Sequence, residues 1–237
     1  MKTVCCNLNS CLTPRPWHPD LPWGGDGWLD YSPQAPPAIW LIQRQLALEI
    51  AGDLLPLLSP EERGRLYRLR RQEDRDCLLL GRGVLRLLLA RPLGVVPAAV
   101  RFVQTPHGKP FLDPTCTASS LQFNVAHSGD LILLGFHPRR PVGVDLEMYG
   151  ADMEWQPIAR QFFPRMISDG IAALTQAEQL PAFYRQWCRL EAALKARGTG
   201  FATDSHAACR PEPPGTVSAG SHDLLLPPNY AGSAAVI

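Results

Sequence analysis

The chain has 237 residues, 46% of them apolar, and its 23 Lys and Arg stand against 22 Asp and Glu. That balance excludes the charge excess of a nucleic-acid or anionic-membrane binder, and the apolar share excludes intrinsic disorder. No stretch approaches the ~18 apolar residues of a membrane span. The seven cysteines show neither a CxxC pair nor zinc spacing, so a soluble, cytoplasmic protein with free thiols is expected.

Residues 1–37 are interrupted by Pro14, Pro16, Pro19, Pro22, Gly24, Gly25 and Gly27. They are expected to form an irregular extension, with Trp17, Trp23 and Trp28 available to dock on a surface. A first strand is expected at 38–42. Ser59-Pro60-Glu61-Glu62 then reads as a helix start, with a serine cap, proline at the first position and glutamate at the capping-box position. A basic helical stretch, 63–71, follows.

The next helix is expected from about Glu73 to Arg91, with Leu78, Val84, Leu85, Leu88 and Leu89 as its apolar stripe. Gly81 and Gly83 inside it cost about 1 kcal/mol each relative to alanine, so close packing or a ligand is needed to explain them. Arg75, Arg82 and Arg86 lie largely off the stripe. They are a solvated face unless the fold makes them converge on an anion.

A strand at 100–103 ends in the turn His107-Gly108-Lys109-Pro110, with Lys109 at its tip. A second strand, 121–129, ends where Asn124, His127 and Ser128 cluster beside a turn. Such a cluster can converge on an anion, and a purely structural histidine is the alternative. A buried strand at 131–136, a linker at 137–141, a strand at 143–147 and a helix at 155–163 come next. The helix Pro181 to Arg197 has Phe183, Trp187, Leu190 and Leu194 on one stripe and ends at Gly198-Thr199-Gly200. Strands broken by Pro211, Pro213 and Pro214 complete the chain.

In Gly143-Val144-Asp145-Leu146-Glu147 the period of two puts both carboxylates on one strand face. Glu191 and Lys195 stand one turn apart on the later helix. Three carboxylates and a lysine suit a hard divalent cation beside a phosphate-bearing ligand. An exposed alternating strand and an ordinary i,i+4 pair are the bland alternatives.

Taken in order, Gly108-Lys109-Pro110, Phe123-Asn124-Val125-Ala126-His127-Ser128-Gly129, Gly143 to Glu147, and Trp187 to Ala192 with Lys195-Ala196 resemble the 4′-phosphopantetheinyl transferases. The arrangement is similar to the monomeric surfactin-synthetase type over residues 38–237. The resemblance implies an α+β fold of two pseudo-symmetric halves, 38–139 and 140–237, with coenzyme A in the cleft between them. It implies transfer of phosphopantetheine from coenzyme A to a serine of an apo acyl or peptidyl carrier protein, as in fatty acid or polyketide assembly. No nucleic acid or membrane is involved.

By the same resemblance Asp145, Glu147 and Glu191 are ligands of Mg²⁺, with Mn²⁺ an alternative. Lys195 binds the pyrophosphate, and Glu191 is a candidate for activating the serine. Lys109, His127 and Arg82 contact the 3′-phosphate or adenosine end. Leu190 stands where the family pattern has lysine, Ala126 where it often has serine, and no glutamate closely follows Phe162-Phe163. Those departures keep a non-catalytic relative as the alternative. Asp145→Ala is expected to abolish transfer without unfolding the chain, on the premise that its carboxylate lies on an exposed strand face.

Overall fold

The computed structural model describes residues 11–20, 24–25, 27–32, 34–150, 152–198 and 220–237. Trp23, Thr199, Gly200 and the turns expected at Pro211, Pro213 and Pro214 lie outside them. The chain opens with strands β1 (Cys11–Leu12), β2 (Arg15–Pro16) and β3 (Ala38–Gln43) and the short helices α1 (Arg44–Ala47) and α2 (Ala51–Leu54). Helices α3 (Pro60–Arg68) and α4 (Gln72–Leu93) follow, then β4 (Phe102–Gln104), β5 (Pro110–Leu112), β6 (Gln122–Ser128) and β7 (Leu131–His137). Next come β8 (Val142–Met148), α5 (Trp155–Phe162), α6 (Arg165–Ala172), α7 (Gln176–Arg197), β9 (Gly220–Leu224) and β10 (Tyr230–Val236).

Two four-stranded sheets form, ordered β2-β3-β7-β6 and β1-β9-β10-β8, with β4 and β5 a separate hairpin. This is the α+β class that the resemblance implies. The chain crosses from one sheet to the other between β7 and β8. There His137 Nδ1 accepts the backbone N–H groups of Arg139 and Arg140 and closes the turn.

Helix α3 starts as its sequence requires, with both arms of the capping box made between Ser59 and Glu62. Helix α4 buries Leu80, Val84, Leu85, Leu88 and Leu89 completely, against Ile42, Ile132, Leu134 and Phe136. Each such leucine contributes roughly 1.5–3 kcal/mol. Gly83 is explained by packing, because a Cβ there would come within 2.7 Å of the Leu54 Cβ. Around Gly81 the nearest atom lies at 3.7 Å, so packing does not demand a glycine there.

Helix α7 begins five residues before Pro181. A capping box between Thr175 and Glu178 starts it, and the proline lies inside. Helix α6 lies between the helices expected at 155–163 and 181–197, where no element is expected. The N-terminal residues depart from an irregular extension: β1 runs parallel to β9 in one sheet and β2 parallel to β3 in the other. Trp17 and Trp28 belong to the core beneath α4, and Trp28 stands edge-on to Trp40 and Phe136. Pro16 is tolerated because β2 is an edge strand, where a missing N–H breaks no interior ladder. Among the described residues no helix is long and apolar enough to cross a membrane.

Candidate active site

Strand β8 has two faces with different tasks. Val144 and Leu146 pack with Ile39, Ala126, Leu131 and Leu133 of the first sheet. The opposite face, carrying Gly143 and Asp145, meets α7. A Cβ at Gly143 would overlap the Ala192 carbonyl oxygen and the Ala196 nitrogen. Glycine on the strand and Ala192, Ala193 and Ala196 on the helix, packed with Ala235, let the two backbones nearly touch. That approach brings Cys188, Glu191 and Lys195 of α7 into the surroundings of Asp145.

Asp145 is 3% exposed, so the premise that it lies on an exposed strand face is overturned. Lys195 Nζ donates to its Oδ1 at 2.5 Å, while its Oδ2 is buried with no partner. Burial pushes the Asp145 carboxyl up, against the pull of Lys195. Burial also opposes the charge on Lys195, but Asp145, with Glu191 and Glu147, outweighs it and the net shift is upward. The two partners differ because Lys195 faces three carboxylates, whereas Asp145 has a single ammonium to offset its burial.

Glu147 and Glu191 are half-buried and both are pushed up, first by burial and then by the neighbouring carboxylates. The three acids therefore share one field. Among the described residues no three such side chains form a ready-made metal cage. Their chemistry nevertheless fits a hard cation: a buried carboxylate oxygen lacks a partner and the three negative charges repel one another. Mg²⁺ commonly takes only one or two carboxylates and completes its shell with water and phosphate oxygens.

The other candidates are less uniformly assembled. Lys109 sits after Gly108, whose φ of +80° closes the hairpin turn. Its Nζ donates to the carbonyls of Val142, Lys195 and Ala196 at 3.0, 2.6 and 3.2 Å, so it ties the hairpin to α7 instead of standing free at a tip. Burial pushes this ammonium down to about 8. His127 is exposed at the end of β6, and desolvation, then the charge of Lys195, holds its imidazole below the usual value.

Arg82 and Arg86 are not a solvated face, since their side chains are 14% and 3% exposed. Both lie over the Phe102 ring and share Glu62, and they line a cavity of about 700 Å³ with α3 and the β4–β5 hairpin. Arg82 Nη1 is buried with no partner.

One further expectation is overturned. Asn124 and Ser128 turn toward β8 and leave His127 on the other face of β6, so the three do not form one anion nest. Leu190 is 2% exposed in the α7 core. Arg189 makes two 2.7 Å bonds to Asp223, so it does not replace the missing lysine charge. Gly143 and Cys188, whose thiol burial pushes up beside Asp145, went unnoticed as site residues. The signal for Gly143 was a glycine in a strand facing a helix rich in alanine.

Comparison with known proteins adds family membership to this geometry. Residues 49–139 match the family described as 4′-phosphopantetheinyl transferase, N-terminal, and residues 141–222 match the 4′-phosphopantetheinyl transferase superfamily. The 4′-phosphopantetheinyl transferase HetI of Nostoc sp. is 35% identical over 164 residues, covering 69% of this chain and 69% of its own length. A putative 4′-phosphopantetheinyl transferase of Synechocystis sp. is 36% identical over 70% of this chain and 66% of its own length. A phosphopantetheinyl transferase of Thraustochytrium sp. is 34% identical over 61% of this chain and 54% of its own length.

Proposed function

This chain belongs to the 4′-phosphopantetheinyl transferase superfamily, and from that premise we propose that it moves phosphopantetheine from coenzyme A to a carrier-protein serine. The products are the holo carrier protein and adenosine 3′,5′-bisphosphate. The observation that carries the reading is the convergence of Asp145, Glu147, Glu191 and Lys195 where β8 and α7 meet. Two sheets with a 22-residue helix in each half of one polypeptide favour the monomeric surfactin-synthetase type. Free thiols at Cys77, Cys116 and Cys188 accord with a cytoplasmic protein.

Asp145, Glu147 and Glu191 would hold Mg²⁺ or Mn²⁺, which when bound supplies positive charge to the pyrophosphate. Lys195 brings a protein cation to the same oxygens, held in place by Asp145. Glu191, its carboxyl raised by burial, is suited to take the proton of the attacking serine. The serine oxygen bonds to the β-phosphorus as the pyrophosphate bridge breaks, and the bisphosphate leaves with the bond electrons. Arg82, which lines the cavity beside α3, and the exposed His127 are the groups available to the 3′-phosphate. Lys109 contributes chiefly by holding α7.

The test is intact-mass spectrometry of an apo acyl carrier protein and an apo peptidyl carrier protein incubated with this protein, coenzyme A and Mg²⁺. A gain of one phosphopantetheine, lost with chelator, is expected. No gain with either carrier, alongside measurable coenzyme A binding, would establish a non-catalytic relative instead.

A further inference from the structure

The two sheets do not share a backbone ladder at the place where β6 meets β8. Within their sheets, β8 pairs with β10 and β6 with β7. Side chains close the seam. The period of two puts Asn124, Ala126 and Ser128 on one face of β6, and all three act on β8. The Val144 N–H donates to Asn124 Oδ1 at 2.9 Å, in buried surroundings. Ala126 packs on Val144 and Leu146. Ser128 Oγ accepts the Met148 N–H at 3.0 Å and donates to Glu147 Oε2 at 3.0 Å.

The carboxylate strand is thus tied one residue before Asp145 and one residue after Glu147, and the second tie also grips a carboxylate. We infer that Asn124 and Ser128 are positioning residues for the transferase site, and that Ser128 sets the direction of the Glu147 carboxylate. A serine hydroxyl has one hydrogen to give. With a lone pair engaged by Met148, that hydrogen is aimed at Glu147, so the pointing of the carboxylate is fixed by backbone. Glutamate otherwise has freely rotating torsions and would spend little time facing Asp145. Ala126 fits the same logic, because a larger residue midway between the two ties would push β8 off β6.

The inference rests on the cation-assisted reading above, and its test separates the two. Mg²⁺ affinity is measured by titration calorimetry without coenzyme A, beside kcat and KM for an apo carrier. Ser128→Ala should weaken Mg²⁺ binding about 10-fold, as loss of a partner behind a metal ligand does. It should lower kcat, leave carrier KM unchanged and keep the melting temperature near wild type. Ser128→Thr, which retains the hydroxyl, should restore affinity and kcat together. Wild-type affinity and kcat in Ser128→Ala would overturn the role of Ser128 alone. Glu147→Gln serves as the control: if it too binds Mg²⁺ like wild type, Glu147 is no ligand and the inference falls, whereas the cation reading fails only if Asp145→Asn also binds Mg²⁺ like wild type.

Discussion

Helices α4 and α7 are both 22 residues long, each contains a proline, and each ends on a left-handed glycine, Gly94 or Gly198. They nevertheless treat their sheets differently. Helix α4 meets its sheet through leucines, so its backbone stays a side chain away and its buried charges, Arg82 and Arg86, find Glu62 on α3. Helix α7 meets β8 through alanines and a facing glycine, so its charges reach the carboxylate strand itself. Large residues at the contact make a core, and small ones make a site.

The sharpest way to break that contrast is Gly143→Val. The added atoms meet backbone that cannot rotate away, so α7 must move. Stability should fall by about 3 kcal/mol or more, beyond the usual overpacking cost, and carrier modification should vanish. Urea unfolding with turnover checks both, and a stable, active variant would show that the close approach is dispensable.

Next in size is Asp145→Asn, which keeps shape and removes charge. Turnover should fall about 100-fold or more, and stability by about 1–3 kcal/mol, the loss moderated by the partial exposure of Lys195. Wild-type turnover in this variant would remove Asp145 from the site.

Gly83→Ala is the matching change in α4. Its methyl meets the Leu54 Cβ, which only a small movement of α2 can relieve, so stability should drop by about 1–3 kcal/mol with turnover close to wild type. Equal losses of activity from Gly83→Ala and Gly143→Val would erase the distinction between the two helices.

The smallest effect concerns Lys109, the tie between the β4–β5 hairpin and α7. With its folded value pushed down to about 8 and an ordinary lysine value near ~10.4, the unfolded chain holds more protons between those limits. Stability from this residue therefore rises with pH across that window. Urea midpoints of wild type against Lys109→Met should diverge in favour of wild type from about pH 8 to about pH 10. Parallel curves would mean that the ammonium is solvated.

Much of this protein was open to reading from local chemistry. The capping box at Ser59, the strand alternation at Asp145 and Glu147 and the i,i+4 spacing of Glu191 and Lys195 depend on residues within a turn or a pleat of one another. Where local signals competed, the reading went astray. Pro181 looked like a helix start, whereas the Thr175–Glu178 box lies earlier. Proline-rich residues before 38 looked irregular, whereas short edge strands need only a few backbone partners supplied by distant β3 and β9.

Sequence by itself determined the family and the α+β class, and it singled out Asp145, Glu147, Glu191 and Lys195, which the fold brings together, because these rest on spacing along the chain. Only the tertiary structure decided that Asp145 is buried against Lys195, that Lys109 is engaged by the carbonyls of α7 and β8, and that Arg189 is held by Asp223. It also decided that Asn124 and Ser128 face β8 while His127 does not. Those outcomes depend on how closely two backbones approach across the seam, and that distance is set jointly by Gly143 and alanines some fifty residues away.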